Sequence, residues 1–531
     1  MTSPKTIRTS WADLLDWRLD KQNPLPLSQQ LYELVRDAVR NGAIPTGTRL
    51  PSSRQLTQRL GVSRTTVVTA FSQLAADGYI ESKSGSGTYA SEGSSDLVQT
   101  PASLKMPRGA TPSSTVLSES GRRYGALSTR HLMADNKPFA VGTVRLDSRT
   151  SAQWRGLIRS RLTDVDIGQL TYSSPLGSLT LRRHIASYLR AARGVRCVPD
   201  QIILVSGAQQ AIDLTIKVLL NAGDSVWVEN PGYPLTHAAL SAAEMVLRPV
   251  PVDEQGICVA EGIATHRDAR AAFVTPSHQY PLGVAMSMSR RIELLKWARQ
   301  QDAWIIEDDC DAEYRYRSPP LAALQGLDDD GRVIYVGTFS KVLFPGLRYG
   351  YAVVPLSLVR AISTARMLSD RHPPIFFQEV LAEFMERGYF TSHIRRMRIE
   401  YQRAQEMLVE LLTRKLGHLL DVLTPDQGMH IIAYLRTALR DTDVADESRA
   451  VGVNVRPLSI CYVNGPRRSG LMLGFTGFNE HAMRSSVSRL TEILERMNRS
   501  LPASGSFSRG TELVVHHARA PAPISICSSS S

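Results

Sequence analysis

Cysteine is scarce in this chain. There are five in 531 residues (Cys197, Cys258, Cys310, Cys461 and Cys527), odd in number, scattered and without a CxxC pair. That argues against a disulfide framework and a cysteine zinc site, and it fits a reducing cytoplasm. Long apolar runs are missing as well: no stretch reaches 18 consecutive apolar residues, and Met1–Ser10 has no apolar core of a secretion signal. A membrane-spanning helix is excluded on that pattern, and export is not expected. No internal repeat is found. Charge is plentiful, with a net +12, yet residues 1–90 hold 11 Lys/Arg against 7 Asp/Glu and the rest of the excess is spread along the chain. The balance permits a polyanionic partner without naming one. With 43% hydrophobic and 21% charged residues, a sizeable core is possible, and the length asks for more than one domain.

Four textures divide the chain. Residues 24–90 carry dense helical patterning and end in a Gly/Ser-rich hairpin. Residues 91–130 are rich in Ser, Thr, Pro and Gly and read as a flexible linker. Residues 131–500 read as globular throughout, and 501–531 as a disordered tail. Within the long region, apolar runs at 202–205, 225–228, 245–247, 271–274, 303–306, 333–336 and 351–354 are mostly separated by helix-length intervals. Seven such runs predict a seven-stranded, mostly parallel α/β sheet with both faces covered. After Pro355 long helices dominate (about 357–372, 376–388 and 389–416), with strands near 429–435 and 471–475, which predicts a smaller C-terminal lobe over about 356–500.

Between Pro24 and Gly78 three helices are predicted. Leu27, Leu31, Leu34, Val35 and Ala38 form a stripe at helical spacing. Ser52 caps a short helix with Gln55 completing a capping box, Gly61 turns the chain, and Ser63 caps the next helix. A short helix, a turn and a second helix make a helix-turn-helix. Tyr79-Ile80 and Thr88-Tyr89 then flank Gly85-Ser86-Gly87 as strands of a wing. Arg64, Thr65 and Thr66 fall in the first turn of the second helix, where side chains reach base edges in a major groove. Arg54 and the preceding helix start are placed to hold phosphates. A small protein-interaction module is the competing reading of the pattern. The segments Leu50–Leu56, Leu60–Val67 and Leu74–Ile80 resemble the winged helix of the GntR superfamily of bacterial transcription regulators. By that resemblance Arg54, Ser63, Arg64, Thr65 and the wing glycine Gly87 contact double-stranded operator DNA.

In the large region, Gly337-Thr338-Phe339-Ser340-Lys341 follows an apolar strand, with Arg348 seven residues on. A lysine past a strand end lies where open α/β sheets place ligands, although a lone one is usually solvated. Its amine can condense with an aldehyde, and Thr338 and Arg348 can grip a phosphate. Ser206-Gly207-Ala208-Gln209 opens a helix after another strand and offers free N–H groups to an anion. Tyr233, in Asn230-Pro231-Gly232-Tyr233-Pro234, can stack on a flat ring or simply join the core. Glu307-Asp308-Asp309 ends a third strand in carboxylates, which suit a protonated pyridine nitrogen, a Mg²⁺ or Ca²⁺ ion, or plain solvation. Only the first of these accounts for Lys341.

Lysine, phosphate cradle, aromatic plate and carboxylate together describe a pyridoxal 5'-phosphate (PLP) pocket. Their order resembles the fold-type I aminotransferases over about 131–500. Pro276-Ser277-His278-Gln279-Tyr280-Pro281, Glu307–Tyr314 and Gly337–Lys341 resemble the signatures of the MocR subfamily, which fuses a GntR winged helix to such a domain. The resemblance implies that Lys341 carries the cofactor, Asp308 pairs with its ring nitrogen, and Tyr233 stacks on the ring. It places Gly207, Ala208, Gln209, Thr338 and Arg348 about the phosphate, and His278 and Cys310 at the cofactor. Tyr172, in Thr171–Gly177, matches the tyrosine that reaches the neighbouring subunit's phosphate, so a homodimer is implied. No metal is expected.

Three departures favour a regulator over an aminotransferase. Tyr280 stands where aminotransferases carry an Asn that bonds the cofactor's phenolic oxygen. Cys310 stands where the subfamily usually has a Tyr bonding the same oxygen, and a thiol is a poor donor. Met472 stands where aminotransferases commonly place a carboxylate-clamping Arg. Arg467 or Arg468 can substitute only from an apparent loop. A hydrogen bond to a charged oxygen contributes about 1.5–3 kcal/mol, so cofactor binding survives one such loss. A lost clamp removes substrate orientation. The sequence therefore reads as a PLP-dependent regulator that senses PLP itself or an amine or amino acid, with a working aminotransferase bearing a DNA module as the alternative.

Overall fold

The computed structural model describes residues 17–83, 85–91, 117–127, 130–132, 136–163, 171–317, 321–465 and 467–500. The tail expected over 501–531 and residues 92–116 of the expected linker lie outside them. The chain falls into two compact units, 1–116 and 117–531, each described by itself.

In the first unit, helices α1 (Leu27–Arg40), α2 (Ser53–Leu60) and α3 (Arg64–Ala76) precede a hairpin of β1 (Ile80–Lys83) and β2 (Gly87–Ala90). The local signals act as expected. Ser52 accepts from the Gln55 amide while its own N–H donates to Gln55 Oε1 at 2.9 Å, closing the capping box. Gly61 ends α2 at φ +62, and Ser63 caps α3 by accepting from the Thr66 amide. Leu31 and Val35 of α1 pack with Leu56, Val67, Ala70 and Leu74 in one core. The Tyr32 hydroxyl donates to Asp77 at 2.7 Å, tying α1 to the end of α3.

The second unit is built on an eight-stranded sheet in the order β3-β10-β9-β8-β7-β4-β5-β6. The strands are β3 (Ile202–Val205), β4 (Ser225–Asn230), β5 (Val246–Asp253), β6 (Gly256–Ile257), β7 (Ala271–Val274), β8 (Trp304–Asp308), β9 (Val333–Thr338) and β10 (Gly350–Val353). The expected seven strands are therefore eight. The added one, β6, is a two-residue antiparallel return on the end of β5, too short to leave an apolar run. β5 also runs well past its expected 245–247, because Pro249 and Pro251 hide it in the sequence. Prolines are tolerated there since β5 is hydrogen-bonded along β4, and β6 reaches only its last two residues. β4, β5, β7, β8 and β9 run parallel, while β10 lies antiparallel to both β3 and β9. Alternate residues feed two cores. Ile202 and Leu204 pack towards the helices Leu179–Arg193 and Phe376–Glu386, and Ile203 and Val205 towards Ala208–Leu219, so the sheet is covered on both sides.

The smaller lobe holds an antiparallel sheet in the order β11-β12-β14-β13, from Leu420–Leu423, His430–Leu435, Gly470–Gly474 and Arg456–Pro457 respectively. Its core joins Ile431, Leu471 and Leu473 to Leu408 and Leu412 of the helix Tyr389–Leu416 and Leu490 of Glu480–Arg499. Within the expected linker, Glu119–Ala126 is helical and belongs to the second unit, where Arg123 reaches Glu244 at 2.5 Å. Among the described residues no helix is long and apolar enough to cross a membrane.

Candidate functional site

The C-terminal ends of β4, β8 and β9 gather the side chains that the sequence singled out, as open α/β sheets do with their ligands. Lys341 follows β9 through Phe339-Ser340. The chain at Gly142 passes close to its amine, so a Cβ there would push the amine aside, and the φ of +81 at that position favours glycine. Burial pushes the Lys341 pKa below the ordinary lysine range, and the nearby Arg456 charge adds to the effect. The result is an amine more readily neutral, and so more nucleophilic, than one in water.

Strand alternation sorts the three acids at the end of β8. Glu307 is wholly buried and accepts from the Leu324 and Gln325 amides, both at 2.8 Å. Asp309 turns to Arg193, meeting its Nε at 2.9 Å and Nη2 at 3.1 Å, and accepts from the Tyr335 hydroxyl at 2.6 Å. Asp308 alone opens on the small cavity beside Tyr233, Phe273 and Ile306. Burial raises its pKa to about 6, countered by the Cys310 thiol, which donates to Oδ1 at 2.5 Å. A carboxyl poised this way ionises fully once a cation sits against it. No group of acids, histidines and cysteines able to hold a metal exists among the described residues.

The anion cradle forms where β3 gives way to the helix Ala208–Leu219. Gly207 stands at its N-cap with φ +92 and no side-chain cap, leaving the first turn with Ala208 and Gln209 open to a ligand. A Cβ on Gly207 would lie 3.2 Å from Arg348 Nη2, so glycine lets that guanidinium close on the turn, where it donates to the Ser206 carbonyl at 2.8 Å. Thr338 accepts from the Ser340 amide at 3.1 Å. The Ser340 hydroxyl is buried and has no partner among the described residues. An orphaned hydroxyl, and an arginine closed on a free helix start, are groups that a phosphate would satisfy. The residues present fit PLP.

The remaining expected residues have these surroundings. His278 pairs with Asp311 at 2.8 Å and packs against Gly428 and His430. Tyr172 is 77% exposed on a surface groove, with Arg371 stacked over its ring at 4.2 Å. The Tyr280 hydroxyl accepts from Arg456 Nη1 at 2.9 Å and faces the Met472 sulfur. Arg456, Gly142 and Ser340 were not singled out from the sequence. Ser340 stood inside the Gly337–Lys341 motif, whereas Arg456 sits on a two-residue strand that leaves no signal.

In the first unit, Arg54, Ser63, Arg64 and Thr65 are exposed at the starts of α2 and α3. Ser63 and Thr66 also bond each other at 2.8 Å, so these two hydroxyls hold the helix start itself. At Gly87 a Cβ would lie 2.8 Å from Arg49 Nε, which presses that guanidinium against the wing. Arg64→Ala is expected to lower operator affinity by about 1–3 kcal/mol while random DNA is little affected, as for a lost bidentate base contact. Equal weakening on both, in a titration at fixed salt, would make Arg64 a phosphate contact only.

Comparison with known proteins agrees with this geometry. The model of aminotransferase class I and II matches residues 146–479, and that of bacterial regulatory proteins of the gntR family matches 27–90. The probable rhizopine catabolism regulatory protein MocR of Rhizobium meliloti is 38% identical over 89% of this chain and 94% of its own length. The HTH-type pyridoxine biosynthesis transcriptional regulator PdxR of Corynebacterium glutamicum is 31% identical over 89% and 97%. Among solved structures, the kynurenine aminotransferase of Pyrococcus horikoshii superposes with a TM-score of 0.66 at 27% identity, over 72% of this chain and 97% of that one. The second unit thus has the fold of PLP-dependent aminotransferases, and a DNA-binding unit precedes it. The chain belongs to the MocR type of GntR transcription regulators, in which a helix-turn-helix domain is joined to an aminotransferase-like domain.

Proposed function

We propose that the large domain of this regulator holds PLP on Lys341 and converts the arrival of an effector, PLP itself or an amine or amino acid, into a change in operator binding in the cytoplasm. The observation that carries the reading is the Arg348 guanidinium closed on the uncapped helix start at Gly207, with the partnerless Ser340 hydroxyl one residue before Lys341. Bound PLP supplies an aldehyde that condenses with amines. This chain's residues do the rest. Asp308 holds the ring nitrogen's proton, Tyr233 covers the ring, and Gly207, Ala208, Gln209, Thr338 and Arg348 hold the phosphate. Tyr172, exposed beside Leu368 (79% exposed), reaches towards the second copy of a homodimer. The DNA-binding domain spans 24–90 and the sensor 131–500, with 91–130 between them.

The aminotransferase-like domain is a weak catalyst or none. The Cys310 thiol spends its proton on Asp308, and the Tyr280 hydroxyl is engaged by Arg456. The thiol is thereby not left to donate to the cofactor's phenolic oxygen, and the Tyr280 hydroxyl faces the Met472 sulfur at 3.9 Å.

The test adds PLP, then a panel of amines, to the purified protein. Visible absorbance is followed together with affinity for a DNA fragment selected from a random library. One PLP per chain is expected, with a change in DNA affinity of about 5- to 150-fold on effector binding. Without a visible band the cofactor assignment falls. DNA affinity indifferent to PLP and to every amine removes the sensor, and repeated turnover with an oxo acid restores the aminotransferase.

A further inference from the structure

Arg456 is a cation on the pocket wall without a carboxylate. Among the described residues it enters no ion pair, and its one hydrogen bond runs from Nη1 to the Tyr280 hydroxyl at 2.9 Å. An arginine carries five N–H donors in a planar fork, so Nε and Nη2 stay available. The side chain is part-buried and near enough to the Lys341 amine to oppose its protonation. Tyr280, which it holds, meets Tyr233 edge to face at 5.1 Å between ring centres. Arg456 therefore borders the space between the lysine and the aromatic plate.

Its position is built rather than incidental. Arg456 is the cross-strand partner of Met472, so the cation absent from the expected strand arrives from the strand beside it. The segment that follows Arg456 is anchored to the sheet domain. The Asn230 side chain accepts from the Val463 amide at 3.0 Å and donates to the Asn464 carbonyl at 3.1 Å, and the Gly232 amide donates to the Cys461 carbonyl at 2.9 Å. Asp441 secures the same turn through the Ser459 amide at 2.8 Å and hydroxyl at 2.6 Å. A fixed, partly desolvated guanidinium without a counter-charge favours an anion that completes its fork.

We infer that Arg456 selects the effector, receiving the acid group of an amine that also carries a carboxylate or sulfonate, with Tyr280 holding the guanidinium in place. The inference rests on the PLP reading above and narrows it. PLP serves as the platform, and the signal is an amino acid rather than a plain amine.

The test compares apparent dissociation constants of L-alanine, 3-aminopropanoate, 4-aminobutanoate and 2-aminoethanesulfonate with those of ethylamine, n-propylamine and n-butylamine. They are read from the visible spectrum of the PLP-loaded protein and, independently, from tryptophan fluorescence. At least one acid is expected to bind about ten- to a hundredfold tighter than the amine of matching length, the span of a charge-assisted pair. Arg456→Met should bring the two within about threefold by weakening the acid relative to the amine, and Arg456→Lys should retain part of the preference. Retained binding of one PLP per chain and an unchanged circular-dichroism spectrum in Arg456→Met establish that the fold and pocket are intact, and the acid-to-amine ratio cancels any effect of the lost charge on Lys341. No preference for any acid in the unmodified protein, or a preference that survives Arg456→Met, overturns the inference while leaving the cofactor reading in place. Absence of the band in the unmodified protein overturns both. A carboxylate-only or sulfonate-only preference names the source of the anion.

Discussion

Lys341→Ala is expected to abolish the visible band of PLP-treated protein, and borohydride treatment of the unaltered protein to add the cofactor's mass to the one peptide that contains Lys341. Both results follow from one amine being placed to react. Burial lowers the proton affinity of Lys341, and Gly142 leaves just enough room for its amine. The substitution removes a desolvated charge that forms no ion pair among the described residues, so it is not expected to cost stability. Circular dichroism and DNA binding by the apo-protein should be preserved, while any response of DNA binding to PLP is lost. A band that persists, or mass added at another lysine, would move the reactive group elsewhere and remove the basis for the sensor.

The neighbouring acids Asp308 and Asp309 are expected to fail in opposite ways. Asp309→Ala leaves the Arg193 guanidinium buried without its partner. The side chains of that pair are 3% and 1% exposed, and Arg193 also holds the Ser277 hydroxyl and the Leu321 carbonyl, both at 2.7 Å. Breaking a buried pair from one side costs about 3–5 kcal/mol, which a thermal melt of the apo-protein reads as a large fall in midpoint. Asp308→Asn keeps the size of a side chain that opens on the cavity and has one thiol donor. It should leave the melt nearly unchanged and weaken PLP binding sharply, because the ring nitrogen loses its anion. A melt that drops for Asp308→Asn and holds for Asp309→Ala would reverse the two assignments.

Much of this was legible because the signals are local. Ser52, Gln55, Gly61 and Ser63 act within four residues of themselves, so the helix-turn-helix follows from the sequence. The parallel strands are buried on both faces and appear as plain apolar runs. What escaped depends on distance in the chain or on brevity. β6 and β13 are two residues long, and Pro249 and Pro251 conceal most of β5. Asp308 could not be told from Glu307 and Asp309 by composition, since strand alternation and the remote Arg193 divide their work. The pairing of His278 with Asp311 joins residues 33 positions apart and leaves no local signal. Arg456 comes from more than 110 residues beyond Lys341, on a strand that only tertiary pairing defines.

The sheet order bears on how the molecule comes to exist. β3 pairs only with β10, Ile202 opposite Val353 and Val205 opposite Gly350, so nearly 150 residues must be synthesised before that edge finds its neighbour. Gly207 follows one of these strands and Arg348 precedes the other. The phosphate cradle is therefore assembled at the longest-range closure of the sheet, a slow kind of event in folding. A nascent chain released before residue 353 would carry the lysine and the acids, and lack the grip that makes them a receptor.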